Sequence, residues 1–236
     1  MTTSISGTQT QRWIYLVGGT AGIVGSLLGM VGNLVHPVTP IGDPEGVARV
    51  IADSDIWLSV HLAIVIGILL MLGGLVALHE SVPAGLAGAL SRLGLFTAVV
   101  GIGIGLVLVI LDGVAAHQLA EEWAAAPAAA KPVALQLTLA NETVNLALAS
   151  LFNLVFAAAT YTLFGLAVVF SGTYPRWFGW IAVAAGISSF TAGLIQAYAG
   201  EPTSIARVLT IVGPTVITLW TAAVGIVLVR RAAHLR

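Results

Sequence analysis

A chain of 236 residues, 58% hydrophobic and only 8% charged, with mean hydropathy +1.02, is too apolar for a water-soluble domain and has the composition of a polytopic membrane protein. Its 9 basic and 10 acidic side chains give a formal net charge of -1, which offers no surface for a nucleic acid, and the lack of cysteine excludes disulfides, thiolate catalysis, iron–sulfur clusters and cysteine-ligated zinc. Any metal must be held by His, Asp, Glu or Asn.

The first twelve residues are Ser/Thr-rich with a single Arg12, and the apolar stretch behind them has no small-residue cleavage site, so it reads as a retained first span. Runs long enough to cross a bilayer, about 20 residues each, fall at 13–36, 56–78, 91–117, 143–170, 177–199 and 207–230. Backbone groups in lipid must be satisfied within their own segment, and runs this long and rich in Leu, Ala and Gly are helices, not barrel strands. The expected fold is all-α: one integral membrane bundle of six transmembrane helices, with outer loops at 37–55 and 118–142. Arg12, Arg92, Arg176, Arg230, Arg231 and Arg236 lie on the side of the termini, against Arg49, Lys131 and Arg207 on the other. The basic excess predicts N-in/C-in topology in the plasma (inner) membrane. Every acidic residue except Glu80 falls on the outer half, where the chemistry is expected.

In the 37–55 connection, Asp43-Pro44-Glu45 reads as a helix start, with a capping Asp, Pro in the first turn and Val47, Val50 and Ile51 facing the bundle. The 118–142 connection carries helix three past the bilayer through Glu121 and Glu122, breaks at Pro127 and Pro132, and enters helix four as an amphipathic segment. Gly42–Ile51 aligns with Gly200–Leu209, half of the positions being identical. A parallel repeat of helices one–two and five–six is one account; two helix starts with the same capping chemistry is the other. In the first account Arg49 and Arg207 flank one opening and hold an anionic group. On the inner side, Tyr174–Trp180 reads as an aromatic anchor, and Gly18, Gly22, Gly25, Gly29, Gly101 and Gly105 as small residues for close helix contact.

The polar residues that bear on chemistry share one depth. Asp112 is costly in an apolar helix, roughly 2.5–3.5 kcal/mol on insertion scales, and His61 lies at the same distance from the outer boundary on helix two. Helix four carries Glu142, Asn145 and Asn153 along one stripe, and helix five adds Gln196 and Tyr198. The expected site is a water-filled outer pocket in which His61, Asp112, Glu142 and His117 or His36 bind zinc, iron or copper, with Asn145, Asn153 and Gln196 behind them. Asp112 and His117 are five apart and do not share a face of an ideal helix; only a π-bulge near Gly113 would align them. The plainer readings are a structural His61–Asp112 pair, His117 pairing with Glu121 one turn on, and His36 before Pro37 as an interfacial helix end.

Two classes of function follow. One is a metal-dependent enzyme in which Asp112 or Glu142 is the general base, acting on an apolar or amphiphilic, lipid-like molecule; a redox version places iron, copper or haem on the histidines, His61 with His117 being the bis-His candidate. The other is a proton-coupled binding or transport protein using His61 and Asp112. Leu111–Ala115, Glu121-Glu122-Trp123 and Tyr174–Trp180 resemble a group of small bacterial polytopic membrane proteins that carry a domain of unknown function. The resemblance implies a six-helix bacterial membrane protein with Asp112 as a shared feature, and it implies no activity.

Overall fold

The computed structural model describes residues 7–235, so Met1–Ser6 and Arg236, the last of the basic residues counted for orientation, lie outside the described residues. Among the described residues nine α-helices and two π-helical turns follow in order: α1 (Gly7–Val35), α2 (Pro44–Ala52), α3 (Trp57–Ser81), α4 (Leu86–Val109) with the π turn Ile110–Ala115, α5 (Ala116–Ala125), α6 (Lys131–Phe152) with the π turn Asn153–Thr160, α7 (Tyr161–Ser171), α8 (Arg176–Ala199) and α9 (Ser204–His234). No strand is present among the described residues. Six helical stretches are long and apolar enough to cross a membrane, the third running without a break from Leu86 to Ala125 and the fourth from Lys131 to Ser171.

Each span packs against the next in sequence, and the last, α9, packs back against α1, so six spans close into a ring. Connections of only a few residues at 82–85, 126–130, 172–175 and 200–203 make neighbours antiparallel. At the end that carries the 82–85 and 172–175 turns, the ring is filled by Leu75, Leu78, Tyr161, Phe164, Trp220, Val224 and Leu228, all at 2% exposure or less. Residues such as Val17, Phe96, Val99 and Leu219 point outward and are exposed, as lipid-facing side chains would be.

The third and fourth spans are 40 and 41 residues long. At 1.5 Å per residue each extends about 60 Å, twice the roughly 30 Å of a hydrocarbon core, so both project well beyond a bilayer. The segment 118–142, expected as a loop, is therefore an antiparallel helical hairpin of α5 and the start of α6 joined at 126–130. Pro132 does not break it, because Pro sits in the first turn of α6, where its missing N–H would have had no intrahelical partner. Lys131 lies over the Trp123 ring at 4.8 Å and ties the hairpin's tips together. On this hairpin rests α2, capped as expected by Asp43 bonding the Gly46 amide and burying Ala48 and Ile51. Ile51, Trp57, Ala116 and Ala120 form a separate small core beneath it.

The aligned segments 42–51 and 200–209 both open on a left-handed glycine, Gly42 at φ 76° and Gly200 at φ 67°. Their helices then start two positions out of step, capped by Asp43 in one and by Thr203 in the other. The first stops after nine residues, and the second runs on as a span.

Glycines let α1 and α3 touch backbone to backbone. A Cβ on Gly22 would stand 3.1 Å from Gly74 Cα, and one on Gly25 would collide with the Gly67 carbonyl. Gly29, on the same small-residue stripe, differs: a Cβ there meets nothing within 4 Å, because it faces a cavity. Gly25→Ala should therefore cost about 1–3 kcal/mol through overpacking, whereas Gly29→Ala should leave the unfolding midpoint in detergent unchanged. Equal midpoints for the two variants would contradict this account of the α1–α3 contact.

Candidate functional site

At the other end of the ring the interior is not filled, and three ligand-type side chains meet there. His36 is the first residue beyond α1, His61 lies one turn into α3, and Asp112 sits in the π turn that follows α4. His61 Nε2 is 3.1 Å from Asp112 Oδ2 and 3.4 Å from His36 Nε2, and the three ligand atoms lie within 4.8 Å of one another. His61 is 3% exposed, and the Asp112 side chain is one-third exposed toward the cavity.

Backbone carbonyls set both tautomers. His61 Nδ1 is 2.7 Å from the Trp57 carbonyl and His36 Nδ1 is 2.9 Å from the Pro37 carbonyl. A carbonyl oxygen only accepts, so each Nδ1 carries a proton and donates it, and each Nε2 presents a lone pair. Burial, and secondarily the adjacent His61, hold His36 below the ordinary imidazole pKa, so its ring is neutral at neutral pH. Two lone pairs and a carboxylate oxygen thus converge, and such a set needs a shared proton or a metal ion between its members. Two of the separations, 3.1 and 3.4 Å, are near the roughly 3.3 Å between ligands that sit 2.0–2.1 Å from a tetrahedral zinc, and the widest in the set is no more than 4.8 Å. The carbonyl bond on each Nδ1 is the outer contact that orients metal-binding imidazoles.

The surroundings hold this arrangement. Asn145 Nδ2 lies 3.4 Å from Asp112 Oδ1, the oxygen turned away from His61. Within the π turn, the Trp57 indole N–H donates to the Asp112 carbonyl at 2.8 Å, and Asn141 Nδ2 donates to the Leu111 carbonyl at 3.2 Å. Trp57, 2% exposed, also packs its ring against His36 and His61, with centroids 5.0 and 4.8 Å away. Gly113 lets α3 approach, since a Cβ there would stand 2.7 Å from that of His61.

Two cavities meet at the cluster and share His36, Leu108, Asp112 and Ala149 as walls. One, of about 410 Å³, lies under α2 and is lined by Glu142, Asn145, Gln196 and Glu201 among others. The other, of about 280 Å³, runs into the ring between Gly29, Ile68, Met71, Phe152, Phe156 and Ile217. Asn153 lines this apolar cavity and bonds Thr210 Oγ1 at 3.4 Å.

The remaining candidates are dispersed. A π turn does cover Gly113, yet it serves to aim Asp112 at His61. His117 lies outside the three-residue group, with Nδ1 3.5 Å from Glu121 Oε2. Glu142 faces the polar cavity but is not in the group. Tyr198 is 90% exposed. Arg207 donates to the Thr39 carbonyl at 3.1 Å, and Arg49 lies in a surface groove with Glu45, Asp53 and Lys131, so neither arginine lines either cavity. The His36 and His61 rings are 5.0 Å apart and inclined at 66°, while His117, the other half of the expected bis-His pair, is turned to Glu121. Sequence reasoning missed Trp57 and offered His36 only as an alternative ligand to His117, with an interfacial helix end as its plainer reading. No family model, curated protein or solved structure matches the chain.

Trp57→Phe keeps the aromatic packing and removes only the N–H. An unpaired carbonyl costs about 1–3 kcal/mol, so the variant should unfold at lower denaturant, whereas Trp177→Phe, at a residue 64% exposed, should not. Matching midpoints for both variants would remove Trp57 from its supporting role.

Proposed function

We propose that the protein is a metal-dependent membrane enzyme acting on an apolar or lipid-like substrate, with His36, His61 and Asp112 as ligands to one divalent ion. The convergence of two Nε2 atoms and one carboxylate oxygen at ligand spacing, each imidazole fixed from behind by a carbonyl, is the observation that carries it. Three protein ligands leave a further position for water, as catalytic zinc sites do, and a bound ion brings that water's pKa to about 7. Hydrolysis of an ester or amide is the reaction this arrangement supports best. The apolar cavity would receive a chain, the polar cavity the group next to the scissile bond, and together they reach the size usual for small-molecule sites.

The basic residues favour termini in the cytoplasm of a bacterial cell and a cluster facing the outer leaflet of the plasma membrane. A second reading has support in the 3.1 Å His61–Asp112 separation, which equally suits a shared proton: a proton-coupled binding protein.

Elemental analysis of purified protein separates the two. Wild type should carry about one zinc, iron or copper ion per chain. His36→Ala, His61→Ala and Asp112→Asn should each lose it, and His117→Ala should retain it. Asn145→Ala, which leaves the ligands in place but frees Asp112 Oδ1, should weaken metal affinity about 10–100-fold. A metal-free wild type after reconstitution with each of these ions would leave the proton reading.

A further inference from the structure

The polar cavity presents buried hydrogen-bond acceptors that no group in the chain satisfies. Glu142 Oε1, Asn145 Oδ1 and Gln196 Oε1 are buried without a hydrogen-bond partner, and all three residues line it. Asn145 is 5% exposed, and its orientation is determined: Nδ2 faces the Asp112 carboxylate, where an oxygen would be repelled, so Oδ1 is the atom left over. The lining holds the carboxylates of Asp112, Glu142 and Glu201 and no lysine or arginine. The volume, about 410 Å³ against roughly 30 Å³ for one water, exceeds what a second bare ion needs and suits an organic group.

An anionic head, the ligand that Arg49 and Arg207 would have suggested, finds no lysine or arginine in this lining, since both arginines are engaged elsewhere. The apolar cavity adjoins across His36, Leu108, Asp112 and Ala149, and Gly29 leaves open space in its wall. We infer that the ligand is an amphiphile with a protonated amine head, whose N–H groups are taken by Glu142, Asn145 and Gln196 while its alkyl chain lies in the apolar cavity. This names the substrate class for the site proposed above and rests on that site being one of binding. It also gives Glu142, the general-base candidate, a part as the head-group anchor.

The test uses full-length protein in phosphatidylcholine nanodiscs, with binding of hexylamine and hexanoate followed at neutral pH by calorimetry and metal content measured on the same samples. Hexylamine should bind at least about tenfold more tightly than hexanoate, the contribution of one charge-assisted hydrogen bond. Glu142→Gln, nearly isosteric, should erase that preference without altering metal content. Lengthening the amine to octyl should tighten binding by about fourfold per methylene, and Gly29→Leu, which fills the apolar cavity, should abolish the gain. Equal affinity for hexanoate, or a preference that survives Glu142→Gln, overturns the inference. Amine selectivity in a metal-free wild type upholds it while the metal-enzyme reading falls; bound metal without amine selectivity does the reverse.

Discussion

Everything at the hollow end of this ring depends on two backbone carbonyls, those of Trp57 and Pro37, each accepting the Nδ1 proton of an imidazole. Without them either ring could turn or exchange tautomers, and the facing nitrogens would settle into an ordinary donor–acceptor pair. With both Nδ1 atoms engaged, two lone pairs and the Asp112 carboxylate are pressed together in a site that is mostly removed from water. Such a set is relieved by a proton shared between His61 and Asp112 or by a cation between the three groups.

The helices are shaped to maintain that contact. Glycines on α1 and α3 bring their axes close enough for His36 and His61 to meet, and Gly113 admits His61 to the surface of the π turn. That turn adds a residue to the helix and rotates Asp112 inward, and Trp57 and Asn141 donate from neighbouring helices to its Asp112 and Leu111 carbonyls. π turns recur at functional sites because the extra residue reorients a side chain that a regular helix would direct elsewhere. A second π turn, Asn153–Thr160, borders the apolar cavity and places Asn153 against Thr210.

The two ends of the ring divide the labour. One is packed with Tyr161, Phe164, Trp220 and leucines and supplies the apolar burial and aromatic contacts that fix the six spans. The other trades that packing for cavities, roofed by α2 on the α5–α6 hairpin. A polar chamber and an apolar slot meet at His36 and Asp112, with Leu108 and Ala149 as their other common walls.

Hydropathy and length determined the membrane-spanning, all-helical architecture, because hydrocarbon leaves the backbone no alternative and each span declares itself locally. Depth along the helices was also legible, since a fixed rise per residue converts position into height, and it set His61 level with Asp112. Azimuth was not. A π turn shifts every later side chain around the axis with no signature in composition, so only the folded chain decided that Asp112 faces His61 while His117 turns to Glu121. Trp57 was hidden, and the choice of His36 over His117 left open, for a related reason: His36 lies past a helix end and Trp57 at a helix start, where direction is set by contacts between helices. The arginines mislead from sequence alone because charge proposes a ligand, but packing assigned one to a backbone carbonyl and the other to a surface groove.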